Sequence, residues 1–209
     1  MPTQKITTPR GELEWVTISG EGKENLSGKL QYLASVILPA DDAIFDKIAA
    51  YWEAEKPKSF KRPAKSLGVY PVYTTSSELD EDGKPVKVLD ESRRKLTFKT
   101  GTTYPSGDPK KIQVYNAKAQ KVELGDRSIG NGSLGQVSGA MGVYLNKSKT
   151  GSVVDAGVTL YLNAIKISKL EEFSQDSGFG ADDDAGDDAF TGADESGFVG
   201  DTDEARPRL

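Results

Sequence analysis

The sequence predicts a mainly β body with one α-helix between its early strands, followed by a disordered acidic C-terminal tail. Three observations carry this. Short segments of period-two alternation recur between turn signals over residues 13–167. One stretch alone, residues 44–52, repeats its apolar residues at helical spacing. After Phe173 all periodicity stops, and eleven acidic residues between 174 and 209 face only Arg206 and Arg208, a net charge of −9.

The chain as a whole carries −5, so residues 1–173 carry +4. The predicted organisation is a binding domain over 1–173 and a disordered acidic tail over 174–209. A mildly basic body suits an anionic partner. The tail would repel that partner or compete with it.

The elements follow in order. Residues 13–19 alternate, with Leu13, Trp15 or Val16, and Ile18 as core candidates. Residues 28–39 (GKLQYLASVILP) form a longer strand that ends at Pro39. Asp41 or Asp42 can cap a helix whose Ile44, Phe45, Ile48, Tyr51 and Trp52 face the core; it stops before Pro57. Residues 56–65 (KPKSFKRPAK) carry two prolines and cannot be a central strand. Residues 69–74 are extended, and Asp82-Gly83 in the polar stretch 77–85 signals a hairpin turn. Residues 95–100 and 111–116 alternate around a Gly, Pro and Thr-rich loop and predict a β-hairpin. Residues 129–135 (IGNGSLG) mark a turn or a close backbone approach. Residues 134–146 and 157–167 complete the strands. In the last, Val158, Leu160, Leu162 and Ala164 share one face, and Thr159, Tyr161, Asn163, Ile165 and Ile167 the other. Five to seven strands in hairpins plus one helix fit an OB-fold-like five-stranded barrel most simply, although a β-sandwich would give a similar pattern.

The chain has neither cysteine nor histidine. That removes disulfides, thiolate and imidazole metal sites, and every nucleophile that relies on histidine. Carboxylates remain, but the aspartates from 182 onward lack the Gly and Glu spacing of a calcium loop. Gly130, Gly132 and Gly135 match a dinucleotide-binding spacing with no helix to follow. No catalytic group, metal or cofactor is expected, and the protein is read as non-enzymatic. The N-terminus shows no signal-peptide core, and no apolar run reaches the ~20 residues of a membrane span. The expected location is the cytoplasm, the host cell's if the source is viral.

Basic residues interleave with aromatics in mid-chain, as in residues 56–65 around Phe60. Single-stranded nucleic acid asks for this mixture, because cations track phosphates and rings stack on bases. Candidate phosphate contacts are Arg93, Arg94, Lys95, Lys99, Lys110 and Lys111; candidate stacking rings are Phe98, Tyr104 and Tyr115. Phe98 shares a strand face with Leu96 and is equally a core candidate. In the tail, Asp182, Asp183, Asp184, Asp187 and Asp188 surround the isolated rings Phe190 and Phe198. Such a composition suits transient docking on basic partners, or occupation of the protein's own nucleic-acid groove.

The stretch from 111 to 173 (KIQVYNAKAQKV, IGNGSLGQVSGAMGVY and GVTLYLNAIKISKLEEF), followed by the acidic tail, resembles the bacteriophage replication single-stranded DNA-binding proteins. The resemblance implies an OB-fold, sequence-independent binding of single-stranded DNA, weaker binding of duplex, and a role in phage DNA replication and recombination. It also implies that the tail contacts replication proteins such as a polymerase or helicase. The family's tail often ends in an aromatic residue, whereas this chain ends Arg206-Pro207-Arg208-Leu209, leaving Phe190 and Phe198 for that role. The competing reading is a phage structural or protein-interaction module whose acidic tail is the working part.

Overall fold

A computed structural model describes residues 3–25, 27–125 and 127–172. Nine strands and one helix run in the order β1 (Gln4–Thr7), β2 (Gly11–Thr17), β3 (Lys23–Glu24), β4 (Leu30–Pro39), α1 (Ala43–Glu55), β5 (Val69–Leu79), β6 (Pro85–Gly101), β7 (Gln113–Tyr115), β8 (Ser133–Lys147) and β9 (Val153–Lys169). The tail candidates, Asp182 to Phe198, lie outside the described residues.

Five strands close on themselves. β2 pairs with β4, β4 with β6, β6 with β9, β9 with β8, and β8 with β2. All of these pairings are antiparallel except β6–β9, which is parallel and joins Phe98 to Leu160 and Lys99 to Tyr161. Five strands closed into a ring, with α1 placed after the early strands, make an OB-fold barrel. Outside the ring, β1 lies along β8 and β3 along β4.

Inward-facing residues fill the barrel. Leu13, Val36, Leu96, Phe98, Val137, Met141, Leu160 and Leu162 are buried together. The helix forms as its spacing predicts: Asp42 accepts the Ile44 N–H at 2.9 Å, and Ile44, Phe45, Ile48, Tyr51 and Trp52 are all buried. Phe60, read above among basic residues, instead packs edge-on against Trp52 at 5.9 Å between centroids. Residues after it tie to the barrel: the Lys65 N–H donates to Ala156 O (2.8 Å), and the Val158 N–H to Ser66 O (2.9 Å).

Two expectations are corrected, and the alternative between Trp15 and Val16 is decided. The hairpin between 95–100 and 111–116 does not form; β6 and β7 each pair in parallel with β9. Barrel closure needs β9 beside β6, so the intervening loop carries β7 elsewhere along β9. Ile165 and Ile167 are buried on the inside with Leu162, not opposite it. The β8–β9 register jumps between Ser138↔Ala164 and Gly139↔Leu162, so Asn163 is an extra residue that inverts the alternation. Trp15, a core candidate, is 58% exposed. The β2–β4 register passes from Glu14↔Ser35 to Thr17↔Leu33, which makes a bulge, and Val16 takes the inward position.

Candidate nucleic-acid interface

The outer face of the β2–β4–β6 sheet is set by the same alternation that fills the core. On β6, Leu96 and Phe98 point inward, so Lys95, Thr97 and Lys99 lie on the opposite face. Cross-strand register places Glu12 beside Ile37, Ile37 beside Lys95, and Lys95 beside Tyr70. The bulge at Trp15 brings an indole to this face, with φ of +50° and Lys23 Nζ 5.6 Å from the ring centroid.

Trp15, Lys23, Tyr70, Tyr73 and Lys95 line one shallow groove of about 530 Å³ floored by Leu33, Ser35 and Thr97. The Ser35 and Thr97 hydroxyls are 2.9 Å apart in that floor. Tyr70 also borders a second groove, of about 660 Å³, with Lys65, Lys99 and Tyr144. It borders a third, of about 560 Å³, with Arg93 and Arg94. Tyr70 and Tyr73 are 41% and 57% exposed. Three exposed rings therefore stand among cations on one continuous face.

The cations here are partly paired. Lys95 Nζ is 3.1 Å from Glu14. Arg93 Nε donates to Asp90 at 2.6 Å, and its Nη1 lies 3.4 Å from Glu12. The Ser92 hydroxyl, and after it Arg93, hold the Asp90 carboxyl below the usual carboxylate range, and Asp90 in turn raises Arg93. The Arg94 guanidinium sits 5.7 Å from the Phe45 ring centroid. Lys65 and Asp155 pair at 2.8 Å, which raises the lysine and lowers the carboxyl.

The nine residues singled out from sequence divide. Arg93, Arg94, Lys95 and Lys99 come together around Tyr70. Phe98 does not join them: it is fully buried in the barrel and offers no ring face to a base. Tyr104 is 47% exposed, with Lys110 Nζ 5.1 Å from its centroid and 2.8 Å from Thr100 Oγ1. Lys110 and Lys111 line a separate groove of about 430 Å³ with Ile112 and Lys121. Tyr115 borders another with Leu170. Sequence reasoning missed Trp15, Lys23, Tyr70 and Tyr73 as site residues. VYPVYT contains both tyrosines in a basic neighbourhood, a usable signal; nothing local announces the bulge at Trp15.

The fold matches solved structures. The chain resembles gp2.5, a single-stranded DNA-binding protein encoded by bacteriophage T7, with TM-score 0.55 at 17% identity over 83% of this chain and 96% of that one. It also resembles a C-terminal truncation of the single-stranded DNA-binding protein of bacteriophage Enc34 (TM-score 0.51, 13% identity, 81% of this chain and 88% of that one). The Enc34 protein in complex with ssDNA gives TM-score 0.50 at 14% identity, over 81% of this chain and 89% of that one. The body has the fold of phage single-stranded DNA-binding proteins. No family model matches the chain, and no curated protein matches it in sequence. Among the described residues no helix is long and apolar enough to cross a membrane.

Proposed function

We propose that this protein binds single-stranded DNA without sequence preference, does no chemistry on it, and acts in phage DNA replication and recombination. The observation that carries the reading is the single groove holding Trp15, Tyr70 and Tyr73 with Lys23 and Lys95. Rings stack on bases of any identity, and flanking cations meet phosphates. Trp15, Tyr70 and Tyr73 are assigned to stacking; Lys23, Arg93, Arg94, Lys95 and Lys99 are assigned to the backbone. Tyr104, Lys110 and Lys111 form an outlying contact. The proteins of similar fold support the reading, since they are single-stranded DNA-binding proteins and one was solved with ssDNA.

Residues 1–173 then form the binding domain and 174–209 a separate acidic tail. The tail, with Phe190 and Phe198 among Asp182–Asp184 and Asp187–Asp188, competes with DNA for the basic face or recruits replication proteins such as a polymerase or helicase.

The test is a salt titration of binding to oligo-dT and to duplex of equal length, with and without residues 174–209. Oligo-dT should bind more tightly than duplex, and its affinity should fall steeply with salt as counterions are released. Removing the tail should strengthen binding. Salt-independent affinity, or equal affinity for duplex, would overturn the single-strand reading.

A further inference from the structure

We propose that Asn131 is a positioning residue of this interface: its side-chain carbonyl holds the Trp15 backbone in the conformation that turns the indole outward. The inference rests on the reading of Trp15 as a stacking ring.

Trp15 has φ of +50°, a left-handed conformation that a residue with a Cβ adopts at a cost. Such a conformation persists where the surroundings over-determine it. Trp15 is also the extra residue of the bulge, between the pairs Glu14↔Ser35 and Thr17↔Leu33, so β4 supplies it no ladder partner. Its N–H instead donates to Asn131 Oδ1 at 2.9 Å. A residue more than a hundred positions away in sequence therefore completes the bulge.

Asn131 is held from both sides. The Gly130 N–H donates to Glu171 O (2.8 Å), and the Gly132 N–H donates to Leu13 O (3.1 Å). The buried Ser133 hydroxyl donates to Gly130 O at 2.8 Å and accepts the Glu171 N–H at 3.0 Å. Gly132 has φ of +90°, which this turn requires. These contacts clamp the loop between β2 and the chain just past β9. Asn131 itself is exposed, so it fills no core space, and its amide is free to serve the bulge. This gives the glycine-rich IGNGS segment a purpose that its sequence alone left open. A ring fixed before DNA arrives loses less freedom on binding.

The experiment uses the full chain in a Trp52→Phe background, so that Trp15 is the sole indole. Fluorescence anisotropy decay of the free protein reads the freedom of the ring, and oligo-dT titration reads affinity. Asn131→Ala should increase ring motion and weaken oligo-dT binding about three- to tenfold, the usual effect of one hydrogen bond. Asn131→Asp keeps an acceptor at the same reach and should restore the wild-type anisotropy decay. In a Trp15→Ala background, Asn131→Ala should have no further effect on affinity. Unchanged ring motion in Asn131→Ala, or an equal loss of affinity with and without Trp15, overturns the inference. If Trp15→Ala alone leaves affinity intact, the stacking assignment fails, while the anisotropy arm still decides whether Asn131 positions the ring.

Discussion

Lys95 Nζ lies 3.1 Å from the Glu14 carboxylate across the outer face of the barrel, and both side chains are about three-quarters covered. Glu12 stands in the same relation to Arg93 at 3.4 Å. Strand β2 thus presents carboxylates to the β6 cations that the proposed function assigns to phosphates. On the proposed reading, a DNA strand on this face would exchange one anionic partner for another, and the carboxylates would weaken binding. Glu14→Gln is expected to free Lys95 and tighten oligo-dT binding about two- to fivefold, on the scale of one partly exposed ion pair. Fluorescence titration at low salt checks it; weaker binding would mean that Glu14 orients Lys95 for DNA.

Buried and exposed rings should separate stability from affinity. Phe98→Ala is expected to cost about 3–5 kcal/mol of stability by emptying the core, read by urea unfolding. Tyr70→Ala should leave that midpoint nearly unchanged and cost about 1–3 kcal/mol of oligo-dT affinity. The reverse pattern would move the site off this face.

The left-handed backbone at Trp15 gives a second contrast. Glycine adopts φ of +50° without the Cβ clash that alanine retains. Trp15→Gly should therefore be more stable than Trp15→Ala by about 1 kcal/mol, or about 2–4 °C in melting temperature. Both variants lack the ring, so both should bind oligo-dT equally weakly.

Close packing at the β8–β9 bulge predicts a different failure. A Cβ on Gly139 would lie 1.8 Å from Tyr161 O and 3.1 Å from the Phe98 ring. Backbone must move to admit it, beside the parallel β6–β9 pairing that closes the barrel. Gly139→Ala should destabilise the protein by about 3 kcal/mol or more, measured by urea unfolding.

The Lys65–Asp155 pair predicts a pH dependence. Asp155 is held below the usual carboxylate range first by its hydrogen bond from Lys65. A carboxyl whose folded value is depressed contributes stability above its unfolded value and loses it as pH falls through the folded one. Lys65 is raised by the same partner, so its share is complete below the ordinary lysine value and fades as pH rises through the folded value. Asp155→Asn should therefore show a shallower fall in melting temperature on acidification than the wild type. Asp90, also depressed, loses its share in the same acid window in both proteins, so the difference between them isolates Asp155.

Most elements were legible because local chemistry sets them. Asp42, the spacing from Ile44 to Trp52, and Pro57 define α1 without help from the rest of the chain. Asp82-Gly83 marks the β5–β6 turn, where Gly83 has φ of +74° and Asp80 Oδ1 accepts the Lys84 N–H at 2.8 Å. The cations of the proposed site were grouped by the sequence as well, since Arg93, Lys95 and Lys99 keep step on one strand face. Of the rings assigned to stacking, Tyr70 and Tyr73 had a local signal in VYPVYT, whereas Trp15 had none. Phe98 and Lys99 are adjacent in sequence, yet one fills the core and the other faces solvent.

By itself the sequence determined the charge division, the element order, the helix and the exclusion of histidine and cysteine chemistry, all properties of composition or of a few neighbouring residues. The tertiary structure alone decided the parallel β6–β9 closure and the outward turn of Trp15. Closure joins strands far apart in sequence, which no local pattern encodes. A strand's side chains alternate with period two, so one inserted residue exchanges inside for outside. At Trp15 that insertion is held by Asn131, more than a hundred residues away.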